Sequence, residues 1–169
     1  MDPIRKKLRR YEIPGHARFL TCSCDQRQPF FDDEYARHIF ADQLMITRSR
    51  LGFKLHAWVV MPEHVHLLIH PNLPDAPVSK ILMSLKRRVS TKVLQHWRNQ
   101  GQNTPNQFWQ AGGGYDRNIH STDELHEKVR YIHENPARRG LVDRPHDWVW
   151  SSARAWMNLN TEWAEIDKC

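Results

Sequence analysis

The sequence predicts an α+β fold of the ferredoxin-like (RRM-like) kind, in which helices pack against an antiparallel sheet. The first observation is the order of hydrophobic patterns along the chain, which is strand, helix, strand, strand, helix, strand, helix. The second is that the two middle strands are separated by only a few residues, a spacing that antiparallel neighbours allow. The third is the length of 169 residues, which suits one domain with a real core. We expect a basic arm over residues 1–16, one domain over 17–157 and a tail over 158–169.

The first half of the chain carries one predicted helix and three predicted strands. Alternating residues over 17–25 predict the first strand. Apolar residues at helical spacing over 32–50, with acidic residues at the start where the helix dipole favours them, predict the first helix. The apolar runs 53–60 and 64–70 are joined by the short connection MPE, and together they predict a β-hairpin.

The second half carries two amphipathic helices. Residues 78–100 combine an apolar stripe with a strongly basic remainder, which predicts a long helix. After a glycine-rich loop, residues 115–120 predict a short strand. Ser121 and Glu124 then fit the capping-box pattern at the start of the last helix. We expect Pro136 to end that helix, because proline disfavours helical backbone at the residue before it.

Composition narrows the class of protein. The net charge of +6 favours an anionic partner, and nucleic acid is the commonest one, although a basic enzyme without a polyanion partner has the same balance. No apolar run reaches the roughly 18 residues of a transmembrane helix, and the basic N-terminus lacks the apolar core of a signal peptide. Three cysteines are few and odd in number, so Cys22, Cys24 and Cys169 are expected to be reduced thiols of a cytoplasmic protein.

A pair of histidines lies one residue apart in the stretch VVMPEHVHLLIH. On a strand, residues two apart share a face, so His64 and His66 point the same way while Val65 points into the core. Two neighbouring imidazoles can bind one metal ion, although such a pair is often just two polar residues on an exposed face. Two protein ligands suit an open site that takes further ligands from water and substrate.

The last predicted helix places a phenol and an amide together. Tyr131 and Asn135 are four residues apart and therefore lie one turn from each other. Asn135 is a candidate third metal ligand and Tyr131 a candidate nucleophile beside the metal. The alternative is ordinary packing for the tyrosine and a helix-stop signal for the asparagine before proline.

These motifs together resemble the single-tyrosine HUH transposases, and in particular the REP-associated tyrosine transposase branch. WVVMPEHVHLLI is followed about 65 residues later by YIHENPARRGLV, with FWQ between them. The resemblance extends from about Arg18 to Trp156. It implies that His64 and His66 are the paired histidines, that Tyr131 is the nucleophile and that Asn135 completes the metal site.

The resemblance also implies a substrate and a reaction. The family acts on single-stranded DNA, commonly beside a hairpin, with a divalent metal such as Mg or Mn. Tyr131 would attack phosphorus, displace the 3′ oxygen and form a 5′-phosphotyrosine. Tyr115 is a rival nucleophile, because it too follows the FWQ stretch, but Tyr131 has a potential ligand one turn later and a rigid helix beneath it.

Basic residues would hold the DNA. The candidates for phosphate contacts are Arg87, Arg88 and Lys92 on the long helix and Arg138 and Arg139 after the tyrosine, with a solvated helix face as the alternative for each. The N-terminal RKKLRR is a candidate arm for a hairpin groove. Two other functions remain open, a non-catalytic nucleic-acid-binding module and a metal-dependent nuclease that uses water. The sequence leaves monomer or homodimer undecided, and it leaves a mobile or a domesticated transposase undecided.

Overall fold

In a computed structural model, which describes residues 12–112 and 114–168, the chain forms one four-stranded antiparallel sheet with helices on both faces. The strands are β1 (Ala17–Ser23), β2 (Lys54–Met61), β3 (His64–His70) and β4 (Tyr115–Ile119). The helices are α1 (Glu34–Leu51), α2 (Val78–Asn99), α3 (Thr122–Arg138) and the short α4 (Ala153–Trp156). The sheet order β2-β3-β1-β4 is that of a ferredoxin-like fold, as the sequence predicts.

Each face of the sheet has its own core. On one face, Val65, Leu67 and Ile69 of β3 pack with the apolar stripes of α1 and α2. On the other, Leu68 packs with the apolar stripe of α3, which centres on Ile132. The two clusters explain why β2 and β3 are almost continuously buried, since a strand covered on both faces has no solvent side.

The helix ends follow local chemistry. Asp33 caps α1 by accepting a hydrogen bond from the backbone N–H of Tyr35 at 3.0 Å. Ser121 caps α3 by accepting from Glu124 N–H at 3.1 Å, and the Glu124 carboxylate in turn accepts from the backbone N–H of His120 at 2.9 Å. The predicted capping residues are therefore in place, with the glutamate reaching one residue further back than in the standard box.

The expected end of α3 at Pro136 is wrong. The helix continues to Arg138, and Pro136 is a buried residue of its last turn. Proline removes only its own N–H bond, and the backbone recovers at once because Arg139 N–H donates to Asn135 O at 3.0 Å. The preference against helix before proline was outweighed here by the packing of α3 on the sheet.

The C-terminal segment returns along the outer edge of β2. Val60 N–H donates to Trp150 O at 2.9 Å, and Ser152 N–H donates to Trp58 O at 3.0 Å. Trp163 is buried further on, at 7% exposure, so residues 158–168 also pack on the domain.

The remaining expectations concern the chain ends and membranes. The predicted RKKLRR arm lies outside the described residues. None of the described helices is both long and apolar enough to cross a bilayer. Cys22 and Cys24 are buried thiols outside any disulfide among the described residues, and burial raises the pKa of the Cys24 thiol to about 12.

Candidate active site

The two histidines of β3 converge on one point. His64 and His66 share the face opposite Val65, as the alternation predicts, and the two residues are 7% and 5% exposed. Their Nε2 atoms lie 3.0 Å apart, with ring centroids at 4.6 Å. Two imidazole nitrogens therefore face the same small volume.

The outer nitrogen of each ring has its own partner. His64 Nδ1 lies 2.9 Å from Glu63 Oε1, and His66 Nδ1 lies 2.8 Å from Thr21 Oγ1. A carboxylate only accepts, so His64 carries its proton on Nδ1 and presents a bare lone pair at Nε2. The Thr21 hydroxyl can accept or donate, so His66 can turn either a lone pair or an N–H toward His64.

This donor set fits a divalent metal ion. Metal–imidazole bonds of about 2.0–2.1 Å at a right angle put the two nitrogens roughly 3.0 Å apart, which is the spacing found here. Ligating histidines in metalloproteins commonly donate their other N–H to a carboxylate or hydroxyl partner, as Glu63 and Thr21 allow. Burial lowers the pKa of His64, and burial together with the His64 charge lowers that of His66 to about 3. Both rings are thus neutral near pH 7, in the form that binds metal.

Glu63 links the metal-site strand to the tyrosine helix. Its carboxylate accepts from Arg139 Nη1 at 2.8 Å and Nη2 at 3.3 Å, and from Arg27 Nη2 at 3.2 Å. Burial alone would raise the pKa of Glu63, but the hydrogen bonds and charges of Arg139 and His64 outweigh it and lower the pKa to about 2. The residue that fixes His64 is therefore itself fixed from the end of α3.

Tyr131 lies beside this pair. Its ring is 36% exposed and its centroid is 5.6 Å from that of His66. Phe19 of β1 supports both rings from below, at 5.8 Å from Tyr131 and 5.3 Å from His66. The predicted nucleophile and one predicted metal ligand are thus brought together by elements far apart in the sequence.

Two cations flank the Tyr131 ring. Lys128 Nζ lies 5.7 Å and Arg138 Cζ 5.6 Å from its centroid. Arg138 also donates to Glu134 at 2.6 Å on the surface of α3. These cations place positive charge where a DNA phosphate would approach Tyr131.

Asn135 lies one turn after Tyr131 on α3 and is half-buried. Its backbone carbonyl accepts from the Arg139 N–H. The role of its side-chain amide as a third metal ligand stays a prediction.

The other predicted DNA contacts divide between two faces. Arg87, Arg88 and Lys92 line a groove of about 590 Å³ together with Arg50 and Lys80. That groove lies along α1 and α2, which cover the face opposite the histidines. Any DNA bound there is separated from Tyr131 by the sheet, whereas Arg138 lies on the histidine side.

His133 of α3 contacts the returning C-terminal segment. Its Nε2 is 2.8 Å from the Oγ of Ser152, which is fully buried and also accepts from Trp58 N–H at 2.9 Å. Burial lowers the pKa of His133 to about 4, so it is neutral near pH 7. The contact anchors α3 to β2 and the returning C-terminal segment.

Sequence reasoning missed the residues that support the site. Thr21 shares a face with Phe19 by simple alternation, but its partner His66 follows only from the β1–β3 register. Gly114 lies against β1 with a φ of +68°, and a Cβ at this position would collide with the carbonyl oxygen of Thr21. Glu63 adjoins the histidine motif directly, and that adjacency was the one available signal.

A separate cluster among residues 12–112 and 114–168 also has metal-ligand chemistry. His38, Asp42 and Glu162 offer ligand atoms within 4.8 Å of one another, with Glu162 exposed. It lies at α1 and the C-terminal segment, and it is not the site that the sequence predicts.

Residues 16–135 match the family model described as IS200-like transposase. The chain belongs to the IS200-like transposase family. It is 29% identical over 147 residues to a REP-associated tyrosine transposase of Escherichia coli (strain K12), and the alignment covers 85% of this chain and 80% of that protein. A solved REP-associated tyrosine transposase bound to a REP hairpin aligns with a TM-score of 0.70 at 24% identity, covering 88% of this chain and 83% of that one.

These similarities confirm the family and the fold that the motifs predict. The matched segment of this IS200-like transposase contains the histidine pair, Tyr131 and Asn135. The α+β architecture agrees with that of the solved relative.

Proposed function

We propose that this protein cleaves and rejoins single-stranded DNA beside hairpins, with Tyr131 as nucleophile and a divalent ion, Mg or Mn, held by His64, His66 and Asn135. The observation that carries the proposal is the convergence of the two Nε2 atoms at 3.0 Å with the Tyr131 ring 5.6 Å from His66. A nucleophile next to a pair of neutral imidazoles is the arrangement that metal-assisted phosphoryl transfer needs.

The chemistry follows from these positions. Tyr131 Oη attacks the scissile phosphorus and loses its proton to solvent, the bond from phosphorus to the 3′ oxygen breaks, and the leaving 3′ oxygen takes up a proton from solvent. The products are a 5′-phosphotyrosine on Tyr131 and a free 3′ hydroxyl. A bound divalent ion would polarise the phosphate and neutralise developing charge. The 3′ hydroxyl of another strand can reverse the step, which joins DNA without ATP.

The chain's own residues orient this reaction. Glu63 and Thr21 orient the two imidazoles by contacting their Nδ1 atoms. Lys128 and Arg138 place positive charge on either side of the Tyr131 ring. We assign Arg138 to the DNA strand at the cleavage position. Arg139 differs from Arg138 in its partner: it makes two contacts to Glu63, which is 11% exposed, whereas Arg138 pairs with Glu134, which is 37% exposed. We propose that Arg139 organises the site rather than binding phosphate.

The basic groove on the opposite face supports a second contact with the same DNA. Arg87, Arg88 and Lys92, joined by Arg50 and Lys80, form a concentration of positive charge that suits phosphates. We propose that it binds DNA outside the cleaved segment, such as a hairpin stem. A solved relative carries a REP hairpin, and this is consistent with a hairpin substrate here.

The decisive experiment looks for a covalent adduct. Wild-type protein and Tyr131→Phe are incubated with single-stranded hairpin oligonucleotides labelled at the 3′ end, in Mg or Mn and in chelator, and analysed on a denaturing gel. We expect a labelled protein band that requires both the metal and Tyr131. Tyr115→Phe is the matched control and should still form the band.

The alternative functions predict different gels. Cleavage without an adduct in both proteins means a water nucleophile and a metal-dependent nuclease. Tight binding without cleavage over a broad set of hairpins means a binding module. An adduct that requires Tyr115 instead of Tyr131 would overturn the assignment of the nucleophile.

A further inference from the structure

A second tyrosine lies on the same face of the sheet as the histidine pair. Tyr115 begins β4 and pairs with Thr21 of β1, and paired residues of neighbouring strands share a face. Thr21 in turn contacts His66, so this face is the histidine face. Tyr115 is 53% exposed, although a ring of this size on a two-sided sheet could have been buried.

The ring of Tyr115 is supported on one side and open on the other. Its centroid lies 6.0 Å from Phe19 in an edge-to-face contact, and Phe19 is only 5% exposed. Because β4 is an edge strand, no further strand among residues 12–112 and 114–168 lies beyond Tyr115. A fixed aromatic ring with a free face is a platform for a planar ligand.

The platform is close to the nucleophile. Tyr115 and Tyr131 both lie within 6.0 Å of the Phe19 centroid, so their rings are less than twice that distance apart. Stacked nucleotides advance by about 3.4 Å along a strand. A strand whose phosphate meets Tyr131 and that runs toward β4 therefore has a base at Tyr115 within about three nucleotides.

We infer that Tyr115 stacks on a nucleobase of the single-stranded DNA, a few nucleotides from the scissile phosphate, and fixes the strand's position across the site. The inference rests on the proposed function, since that function puts a single strand next to Tyr131. Bases of any kind have a π-face, so this contact sets the position of the strand without reading its sequence. Among the described residues, the ring contact with His66 belongs to Tyr131 and not to Tyr115, which argues against Tyr115 as nucleophile.

The test measures DNA binding apart from cleavage. In the Tyr131→Phe protein with chelator present, we compare Tyr115, Tyr115→Phe and Tyr115→Ala by fluorescence anisotropy with a labelled hairpin that carries a single-stranded flank. Loss of one stacked base should weaken binding by about 5-fold to 150-fold in Tyr115→Ala. Tyr115→Phe keeps the ring and should bind within about twofold of the parent.

A single abasic site, moved one nucleotide at a time along the flank, identifies the base. We expect one position at which the abasic oligonucleotide binds the Tyr115 and Tyr115→Ala proteins equally, because the stacking partner is already missing. Equal binding of the intact oligonucleotide by both proteins would refute the inference. So would a defect in Tyr115→Ala that persists undiminished at every abasic position, or an equal defect in Tyr115→Phe.

Tyr35→Ala is the structural control. Tyr35 is 36% exposed at the start of α1 and stacks on His96, and it is not one of the residues that line the basic groove. Its loss should leave affinity unchanged, and a defect equal to that of Tyr115→Ala would overturn the assignment. Because the readout needs no cleavage, a missing adduct would count against the proposed function and a missing stacking effect against this inference.

Discussion

Replacing Arg139 with Gln tests whether this arginine organises the site or binds DNA. The change removes a two-pronged contact to Glu63, at 2.8 and 3.3 Å, and leaves a nearly buried carboxylate with His64 and Arg27 as its remaining partners. Hydrogen bonds to charged groups contribute about 1.5–3 kcal/mol. The Arg139 side chain is 45% exposed, so solvent screening places the expected loss of unfolding free energy at about 1–2 kcal/mol.

The same change should weaken metal binding. Partners that orient a ligating histidine contribute roughly 10-fold to 100-fold in metal affinity. Arg139 acts one contact further away, through Glu63, so we expect a loss of about 3-fold to 10-fold. Urea unfolding with chelator measures the first quantity, and calorimetric titration with Mn measures the second.

Arg138→Gln is the neighbouring control. Arg138 pairs with Glu134 on the surface of α3, so its loss should change the unfolding free energy by at most about 0.5 kcal/mol and leave Mn affinity unchanged. In an Arg139→Gln, Glu63→Gln double mutant the two effects should be less than additive, because both changes break the Arg139–Glu63 contact. Unchanged stability and Mn affinity in Arg139→Gln, together with weaker DNA binding, would refute our reasoning and restore the phosphate contact that the sequence predicts.

Three further changes probe the support of the site. Thr21→Val keeps the shape of the side chain but removes the hydroxyl that contacts His66, so Mn affinity should fall about 10-fold. Thr21→Ser keeps the hydroxyl and should keep the wild-type Mn affinity. Equal affinity in all three proteins would mean that the hydroxyl has no orienting role. Ser152→Ala leaves His133 and the backbone N–H of Trp58 without their buried partner, and should lower the unfolding free energy by about 2–3 kcal/mol. Ser90→Ala at the surface of α2 is the control and should change the unfolding free energy by less than about 0.5 kcal/mol. With chelator present, the unfolding free energy should fall by about 2–4 kcal/mol from pH 7 to pH 5. Folding lowers the pKa of His66 from 6.5 to about 3 and that of His133 from 6.5 to about 4. Between pH 7 and pH 5 these histidines therefore take up protons in the unfolded chain but not in the folded one, which favours unfolding. An unfolding free energy that does not change over this pH range would contradict the lowered pKa values. So would a pH dependence in His133→Gln as steep as that of the wild-type protein.

The elements of the fold were predictable because their signals are local. The predicted strand over 64–70 has the bounds of β3. The apolar stripe over 78–100 predicted both ends of α2 to within one residue. The end of α3 was not predictable in the same way. A proline signal says what the backbone prefers, and here the apolar contacts of α3 with the sheet decided otherwise.

The site was predictable only in part, for a reason of geometry. His64 and His66 are neighbours on one strand, and Tyr131 stood out on its helix, so each could be found alone. Thr21 and Arg139 act across strand and helix pairings, and such pairings depend on register and docking that no short pattern carries. The five predicted DNA contacts show the same limit, because basic residues can be recognised in a sequence but the face of the sheet on which they lie cannot.

The return of the C-terminal segment along β2 has a consequence for synthesis on the ribosome. The chain makes α3 before it makes Ser152, the residue that holds His133, and before Trp150 closes the edge of β2. A nascent chain halted before Trp148 therefore contains Tyr131 but not the residues that anchor its helix, and adduct formation by such a stalled chain would measure how much that anchor contributes to the proposed activity. The helix that carries Tyr131 thus gains this anchor only after residues 148–152 have been synthesised, so under the proposed function a copy that stops before them should cleave DNA less efficiently than the whole chain.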